Sequence, residues 1–425
     1  MPEAAAAAET VQERMAALGK VDLVVGIPSF NNAGTIGHVV EAARNGLAHH
    51  FSAARAVIVN ADGGSADGTP EKVRQACGGE GLLQLSYPVY KTEELSAPQL
   101  GLAGRSRALH AIFEAVRTLE AKGCAILEPD LRSTAPEWTD ALLRPLVDQQ
   151  CDLVAPEYLR HKFEGLIGKA VIYPLTRALY GKRIRHPMGG DCGYSAKLIA
   201  HYLTQDSWTK DAAGGGVEIW LTTRAICGRF GICQARLGPR IREEEPRMDL
   251  SELLARLLGP LFQAMERDVV FWQRVRGSEA IPVLGEAALP AAETAAADAH
   301  KLIDSFRLGY QNLIGVWGLV LSPATLLELK RVARMDAEQF RLPDETWVRA
   351  IYDFALGHRL RVINREHLLR AMTPLYLGWV ASFVLEMREA DPAEVERRLE
   401  RLCLTYESNK PYLISRWRWP ERFTP

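Results

Sequence analysis

Between Val21 and Asp130 short apolar runs alternate with longer amphipathic stretches, and this rhythm restricts the fold more than any other feature of the chain. Leu23-Val-Val-Gly-Ile27, Ala56-Val-Ile-Val59, Leu82-Leu-Gln-Leu-Ser-Tyr87 and Ala125-Ile-Leu127 read as buried strands. Helices are expected across Thr35 to Ala48, from about Thr69, and across Arg107 to Lys122. Strands this short and this apolar need cover on both faces, so the alternation predicts βαβ units and a parallel sheet. Ligands of such sheets sit beyond the carboxyl ends of the strands. Pro28, Asn60 to Asp62 and Glu128 to Asp130 all fall there.

The remaining chain has a different character. Residues 152–242 are less regular, with Gly-rich and aromatic turns, and Leu250 to Met265 has apolar residues at helical spacing. Amphipathic segments at about 300–318, 322–335, 343–357, 364–388 and 392–406 predict an all-helical C-terminal domain. The expected organisation is a tail or helix over 1–20, an α/β domain over 21–245 and a helical domain over 246–425, with a loose linker at about 276–298. A length of 425 residues is enough for two or three cores.

Composition narrows the partners. With 51 basic and 52 acidic residues, nothing argues for nucleic acid or membrane as a bulk electrostatic partner. Seven cysteines are scattered singly, with no CxxC pair, which fits reduced thiols. The N-terminus has neither the basic nor the apolar region of a signal peptide. Ala371 to Leu385 is the longest uncharged apolar stretch, short of the ~20 residues a membrane helix needs. A soluble, cytoplasmic protein is expected.

Glu128-Pro-Asp130 is the first constellation that could carry chemistry. Two carboxylates one residue apart at a strand end can aim oxygens at one hard cation and leave positions for phosphate oxygens; alone, the same tripeptide is an acidic turn. Asn60-Ala-Asp-Gly-Gly-Ser65 puts Asp62 where it could meet a base or ribose, with Gly63 permitting close approach. The competing reading is a plain Gly-rich turn with Asp67 as a helix cap. Pro28 and Asn32 flank the first loop, and Asn31 could brace it. Gly104-Arg105-Ser106 opens a helix, a natural anion site. Gly189-Gly190-Asp191 and Gly216-Val-Glu218 each place one acid beside glycines; for Glu218 the alternative is helix-dipole complementarity. Arg416-Trp-Arg-Trp-Pro420 could stack on bases or sugars, or be a tail tucked against its own domain or a partner.

In this order the elements resemble a GT-A glycosyltransferase, most closely the retaining group of mannosylglycerate synthase and glucosyl-3-phosphoglycerate synthase. The match spans about residues 21–270 and implies an α/β GT-A domain, with a mostly parallel sheet, followed by helices. It implies donor contacts from Pro28, Asn32, Asp62, Gly63, Ser65, Arg105, Glu128, Asp130, Gly189 and Gly190, and catalytic roles for Asp191 and Glu218. Glu128 and Asp130 stand where the family holds a divalent cation, Mg²⁺ or Mn²⁺. Three departures stand out. The first metal-motif acid is Glu, the usual Gly-Lys-Gly turn is Gly104-Arg105-Ser106, and Arg242 occupies the place of a metal-binding His. An arginine cannot ligate a cation, although it can neutralise a diphosphate directly; Glu243 or Glu244 could instead supply an oxygen. The expected activity is transfer of a hexose from a GDP-, UDP- or ADP-linked sugar to a small acidic acceptor such as glycerate or phosphoglycerate. The alternatives are a catalytically degenerate nucleotide-sugar-binding protein and an inverting family-2 enzyme. Metal dependence and a homodimer are left open.

Overall fold

The computed structural model describes residues 11–78, 81–87, 104–205, 216–243, 249–286 and 298–420. The chain divides into two compact units. One comprises Met1–Tyr158, Met188–Pro246 and Pro282–Ala288; the other comprises Leu159–Pro187, Arg247–Ile281 and Leu289–Pro425.

The first unit is built on an eight-stranded sheet. Its strands are β1 Leu23–Ser29, β2 Ala56–Asp62, β3 Leu82–Ser86, β4 Gly123–Ile126, β5 Leu153–Leu159, β6 Cys192–Ser195, β7 Ile232–Pro239 and β8 Val283–Leu284. They lie in the order β3-β2-β1-β4-β6-β5-β7-β8. β3, β2, β1 and β4 run parallel, and β6 is antiparallel to both β4 and β5. This is the mostly parallel α/β sheet expected of a GT-A domain. β1 is buried along its whole length, as its unbroken apolar run requires. β8 arises within the stretch 276–298.

Helices Ile36–His50, Thr69–Cys77 and Arg105–Thr118 follow the first three strands. The third starts two residues before its expected position, because Gly104 takes φ 66° and lets the chain turn directly into the helix at Arg105. One face of the sheet is sealed by Val39, Val40 and Leu47 with Trp138, Leu142 and Leu146, joined to strand residues Val25, Ile27 and Ile58. Burying that much aliphatic surface is the main stabilising term of this unit.

The second unit is helical. Its later helices are Ala299–Gly318, Pro323–Ala333, Asp344–Leu360, Arg365–Arg370, Thr373–Met387, Pro392–Ser408 and Lys410–Arg418. The expected helix over 364–388 is therefore two. The break falls just before Pro374, which has no N–H to continue the ladder and sits comfortably in the first turn of a new helix. Arg365–Met387 is apolar enough by composition to cross a membrane. Most of it is buried inside this unit, with Gly378 pressed against the Phe306 ring. The helix Tyr173–Tyr180 is anchored here too. Arg177, wholly buried, bonds both oxygens of Glu400 and reaches Glu407 at 2.8 Å. Near the C-terminus Arg416 pairs with buried Asp353 at 2.8 Å, and Trp417 packs edge-on against Trp272. Arg416 and Trp417 are thus tucked into their own unit, while Arg418 and Trp419 are exposed.

Candidate active site

The site belongs to the first unit and begins with two interlocked loops. Asp62, at the end of β2, accepts from Ser29 Oγ at 2.8 Å, Gly64 N at 2.9 Å, and Ser65 N and Oγ at 2.8 and 2.7 Å. Its carboxylate is thus committed to shaping the loop that holds Gly63 and Ser65. Ser65 Oγ in turn accepts from the N–H of Asn31, whose φ of 54° is tolerable for Asn and poor for most residues. Asn32 Oδ1 takes the Phe30 N–H at 2.9 Å, and the Asn32 N–H goes to Thr69 Oγ1. Pro28 is paired with Ala61 at the strand ends. These residues form one braced surface, and Thr35 Oγ1 ties it to the next loop through Pro129 O at 2.7 Å.

That next loop follows β4. Beside it, residues 240–243 run antiparallel to 130–133. Leu131 bridges Arg242, Arg132 N donates to Ile241 O at 2.9 Å, and Ile241 N donates to Ser133 Oγ at 3.0 Å. Extended backbone puts every second side chain on one side. The turn at 129–130 takes Glu128 and Asp130 out of that alternation and brings their carboxylates to Arg240 and Arg242, an acid-x-acid segment against an Arg-x-Arg segment.

Glu128 is the centre. One carboxylate oxygen accepts from Arg240 and, at 2.7 Å, from Arg242. The other lies 3.5 Å from Arg105. Arg105 also donates through Nε to Glu218, at the start of the helix Val217–Cys227. Asp130 Oδ2 is 3.3 Å from Arg242 Nε, whereas Asp130 Oδ1 is buried with no hydrogen-bond partner. Arg240 also lies over the Tyr158 ring, 5.3 Å from its centroid. Gly190 closes the floor: a Cβ there would overlap the Glu128 carboxylate and crowd Arg105.

Asp191 is fully buried beneath. It accepts from Tyr158 Oη at 2.5 Å and from the Glu128 N–H at 2.8 Å. Its contacts make it the brace of Glu128, with no face open to solvent.

The charges are strongly coupled. Burial opposes ionisation of Glu128, but Arg240, Arg242 and Arg105 outweigh it and hold the carboxyl well below the usual range. Burial, reinforced by Glu128, raises Asp130, and the same two causes push Asp191 up to about 6. Burial also pushes the Tyr158 hydroxyl well above its ordinary value, keeping it a donor to Asp191. Burial disfavours the Arg105 cation, yet Glu218 and Glu128 keep it firmly protonated.

The structure thus gathers Arg105, Glu128, Asp130, Gly190, Asp191 and Glu218, and sets Pro28, Asn32, Asp62, Gly63 and Ser65 on the adjoining loops. Gly189 precedes the cluster, its carbonyl 3.3 Å from Cys192 Sγ. Glu243 pairs with Arg132 at 2.7 Å on the exposed side, and Glu244 lies outside the described residues. Tyr158 and Arg240 are the site residues that sequence reasoning missed. The period-two spacing of Arg240 and Arg242 was the available signal for the second; Tyr158 carries none, since it reads as a core aromatic. Among the described residues no three His, Cys, Asp or Glu side chains are grouped as metal ligands.

No family model and no curated protein matches the chain. Solved structures do. The crystal structure of glucosyl-3-phosphoglycerate synthase from Mycobacterium tuberculosis with Mn²⁺, UDP and glucosyl-3-phosphoglycerate is 22% identical, over 61% of this chain and 84% of its own, at a TM-score of 0.43. The same enzyme with Mn²⁺, UDP-glucose and glycerol 3-phosphate gives 22% identity, 61% and 84% coverage and a TM-score of 0.42. A further mycobacterial protein gives 24% identity, 60% and 78% coverage and a TM-score of 0.41.

Proposed function

We propose that this chain is a retaining glycosyltransferase that moves a hexose from a nucleotide-diphosphate sugar to a small hydroxy acid such as glycerate or phosphoglycerate. The observation that carries this reading is the convergence of Arg105, Arg240 and Arg242 on Glu128 at the carboxyl end of the sheet. Three guanidinium groups in one partly water-excluded place suit a diphosphate, whose oxygens accept bidentate donation. The braced loops after β1 and β2 supply the adjoining surface for the nucleoside. Preorganised positive charge of this kind stabilises a departing diphosphate without reorganisation during the reaction. Front-face attack by the acceptor then asks for positioning more than for a dedicated base.

A divalent cation fits one place here. Asp130 Oδ1 is a buried carboxylate oxygen with no partner, and Glu128 joins it only on releasing Arg240 and Arg242. When bound, such an ion offsets charge on the diphosphate. Glu128 and Asp130 are then the residues that hold it.

The full commitment of Glu128 to arginines favours a second reading, a nucleotide-sugar-binding protein without turnover. Calorimetry with UDP-, GDP- and ADP-sugars, with and without Mn²⁺, comes first, followed by turnover with glycerate and 3-phosphoglycerate. Binding with transfer, and retained anomeric configuration by NMR, is the expected result. Absence of any nucleotide-sugar binding sinks both readings, and binding without transfer leaves only the second.

A further inference from the structure

The arginines that suit a diphosphate are engaged by one side chain of the protein itself. Glu128 is buried, and the position of its carboxylate is built from several sides. Oε1 occupies the space that a Cβ on residue 190 would need, so Gly190 makes the room, and Asp191 fixes the main chain by accepting the Glu128 N–H at 2.8 Å. Oε2 accepts from Arg240 and, at 2.7 Å, from Arg242, while Oε1 lies 3.5 Å from Arg105.

The other acids of the cluster have narrower duties. Glu218 accepts from Arg105 Nε, Asp130 Oδ2 lies 3.3 Å from Arg242 Nε, and Asp191 accepts from Tyr158 Oη. Glu128 reaches all three guanidinium groups. A carboxylate and a diphosphate offer the same thing to a guanidinium, closely spaced anionic oxygens for charge-assisted donation. A diphosphate that takes these donors must therefore first take them from Glu128, and it approaches against the charge of that carboxylate.

We propose that Glu128 is a built-in competitor of the donor's diphosphate: its carboxylate holds the donors of Arg105, Arg240 and Arg242, and a nucleoside diphosphate binds by displacing it. The proposal rests on the nucleotide-sugar reading and adds to it the residue that limits how tightly the diphosphate is held. It gives Glu128 a role opposite in sign to that of an acid whose whole contribution is to help the nucleotide through a cation. Glu128 cannot serve a cation and the arginines together, so a cation and a diphosphate strengthen each other's binding, by the same factor in each direction. Neutralising the carboxylate releases the arginines with no cation present.

The test is calorimetric titration of the 425-residue protein and of its Glu128→Gln variant. The ligands are UDP, GDP, ADP, pyrophosphate and the corresponding nucleosides, each in a metal chelator and again in saturating Mn²⁺. Glutamine keeps the length of the side chain and an acceptor oxygen but not the charge. In chelator the variant should bind pyrophosphate, and the diphosphate that the parent prefers, at least about tenfold more tightly than the parent does, the worth of one charge-assisted hydrogen bond. The nucleoside should bind both proteins alike, since it brings no anion. The inference is overturned if the variant shows no gain in chelator, or if the nucleoside gains as much as the diphosphate. A parent that binds a diphosphate in Mn²⁺, beside a variant without that gain, removes this inference and leaves the nucleotide reading standing. Absence of diphosphate binding to both proteins in both conditions removes the nucleotide reading, and this inference with it. Loss of a buried ionic partner can unfold a variant. In that event pyrophosphate or the diphosphate should restore the parent's circular dichroism, because each supplies the anion that Glu128 supplied; failure of both to do so overturns the inference.

Discussion

At the scale of single residues, the clearest dependence is on Gly190. Its missing Cβ is the space that the Glu128 carboxylate and Arg105 occupy. Gly190→Ala should destabilise the protein by about 1–3 kcal/mol, the usual range for forcing extra atoms into a filled site, and displace Glu128; chemical denaturation reads the first effect and nucleotide affinity the second. Asp191 gives a prediction in pH. Its folded pKa of about 6 stands above the ordinary carboxyl value. Between about pH 4 and 6 the native state therefore binds more protons at this position than the unfolded chain, and stability falls as pH rises. Asp191→Asn removes that slope while keeping an acceptor for the Glu128 N–H. Measured by denaturant midpoints, the difference between variant and parent should move in the variant's favour from pH 4 to 6 and flatten above about 7. Glu128 acts in the opposite sense, because its depressed pKa contributes stability above the ordinary carboxyl range that is lost as pH falls through the depressed value.

Elements set which residues can meet. The pairing of 240–243 with 130–133 brings Arg242 beside Glu128 Oε2 and Asp130 Oδ2, so one guanidinium holds an oxygen of each carboxylate and repels a cation from them. Arg242→His should tighten Mn²⁺ binding by about tenfold in a titration followed by electron paramagnetic resonance, since a repelling charge becomes a ligand; unchanged affinity would show that Asp130 alone governs the ion. The helix Tyr173–Tyr180 depends similarly on one contact set. Arg177 is wholly buried against Glu400 and Glu407. Arg177→Met should cost about 2–4 kcal/mol, near the lower part of the range for breaking a buried ion pair, because Glu400 can turn to water. Loss of protection in amide exchange along 173–180 is the accompanying signature.

Over the whole molecule, what was legible follows from how local each signal is. Leu23 to Ile27 and Ala56 to Val59 announce themselves because a two-face-buried strand has to be continuously apolar, and the carboxyl ends of those strands locate the site. Arg105 was legible through Gly104, whose turn opens the helix. Arg240 was hidden, since an arginine near a strand end looks like any surface arginine until its partner segment is placed. Leu159 to Pro187 was unreadable for the same reason. Nothing in its sequence says that it packs with helices more than a hundred residues onward, because Arg177 meets Glu400 only in the folded chain. The break at Pro374 was marked by the proline itself, yet the apolar run on both sides argued for continuity.

The three-part make-up of each unit also has a consequence in time. A ribosome adds about 5–20 residues each second, so Leu159 to Pro187 leaves it some tens of seconds before Glu400 and Glu407 exist. Throughout that interval Tyr173, Leu175, Leu179 and Tyr180, all buried in the finished protein, lack the helix Pro392–Ser408 that packs against theirs. The nascent chain is then a half-built α/β unit trailing an adhesive loop, with an arginine waiting for carboxylates not yet made. Release at residue 246, by a stop codon or a protease, should give a product that aggregates unless a chaperone holds it, whereas the 425-residue chain should stay in solution in the same translation extract. For this architecture helices synthesised more than two hundred residues later decide the fate of the segment Leu159 to Pro187.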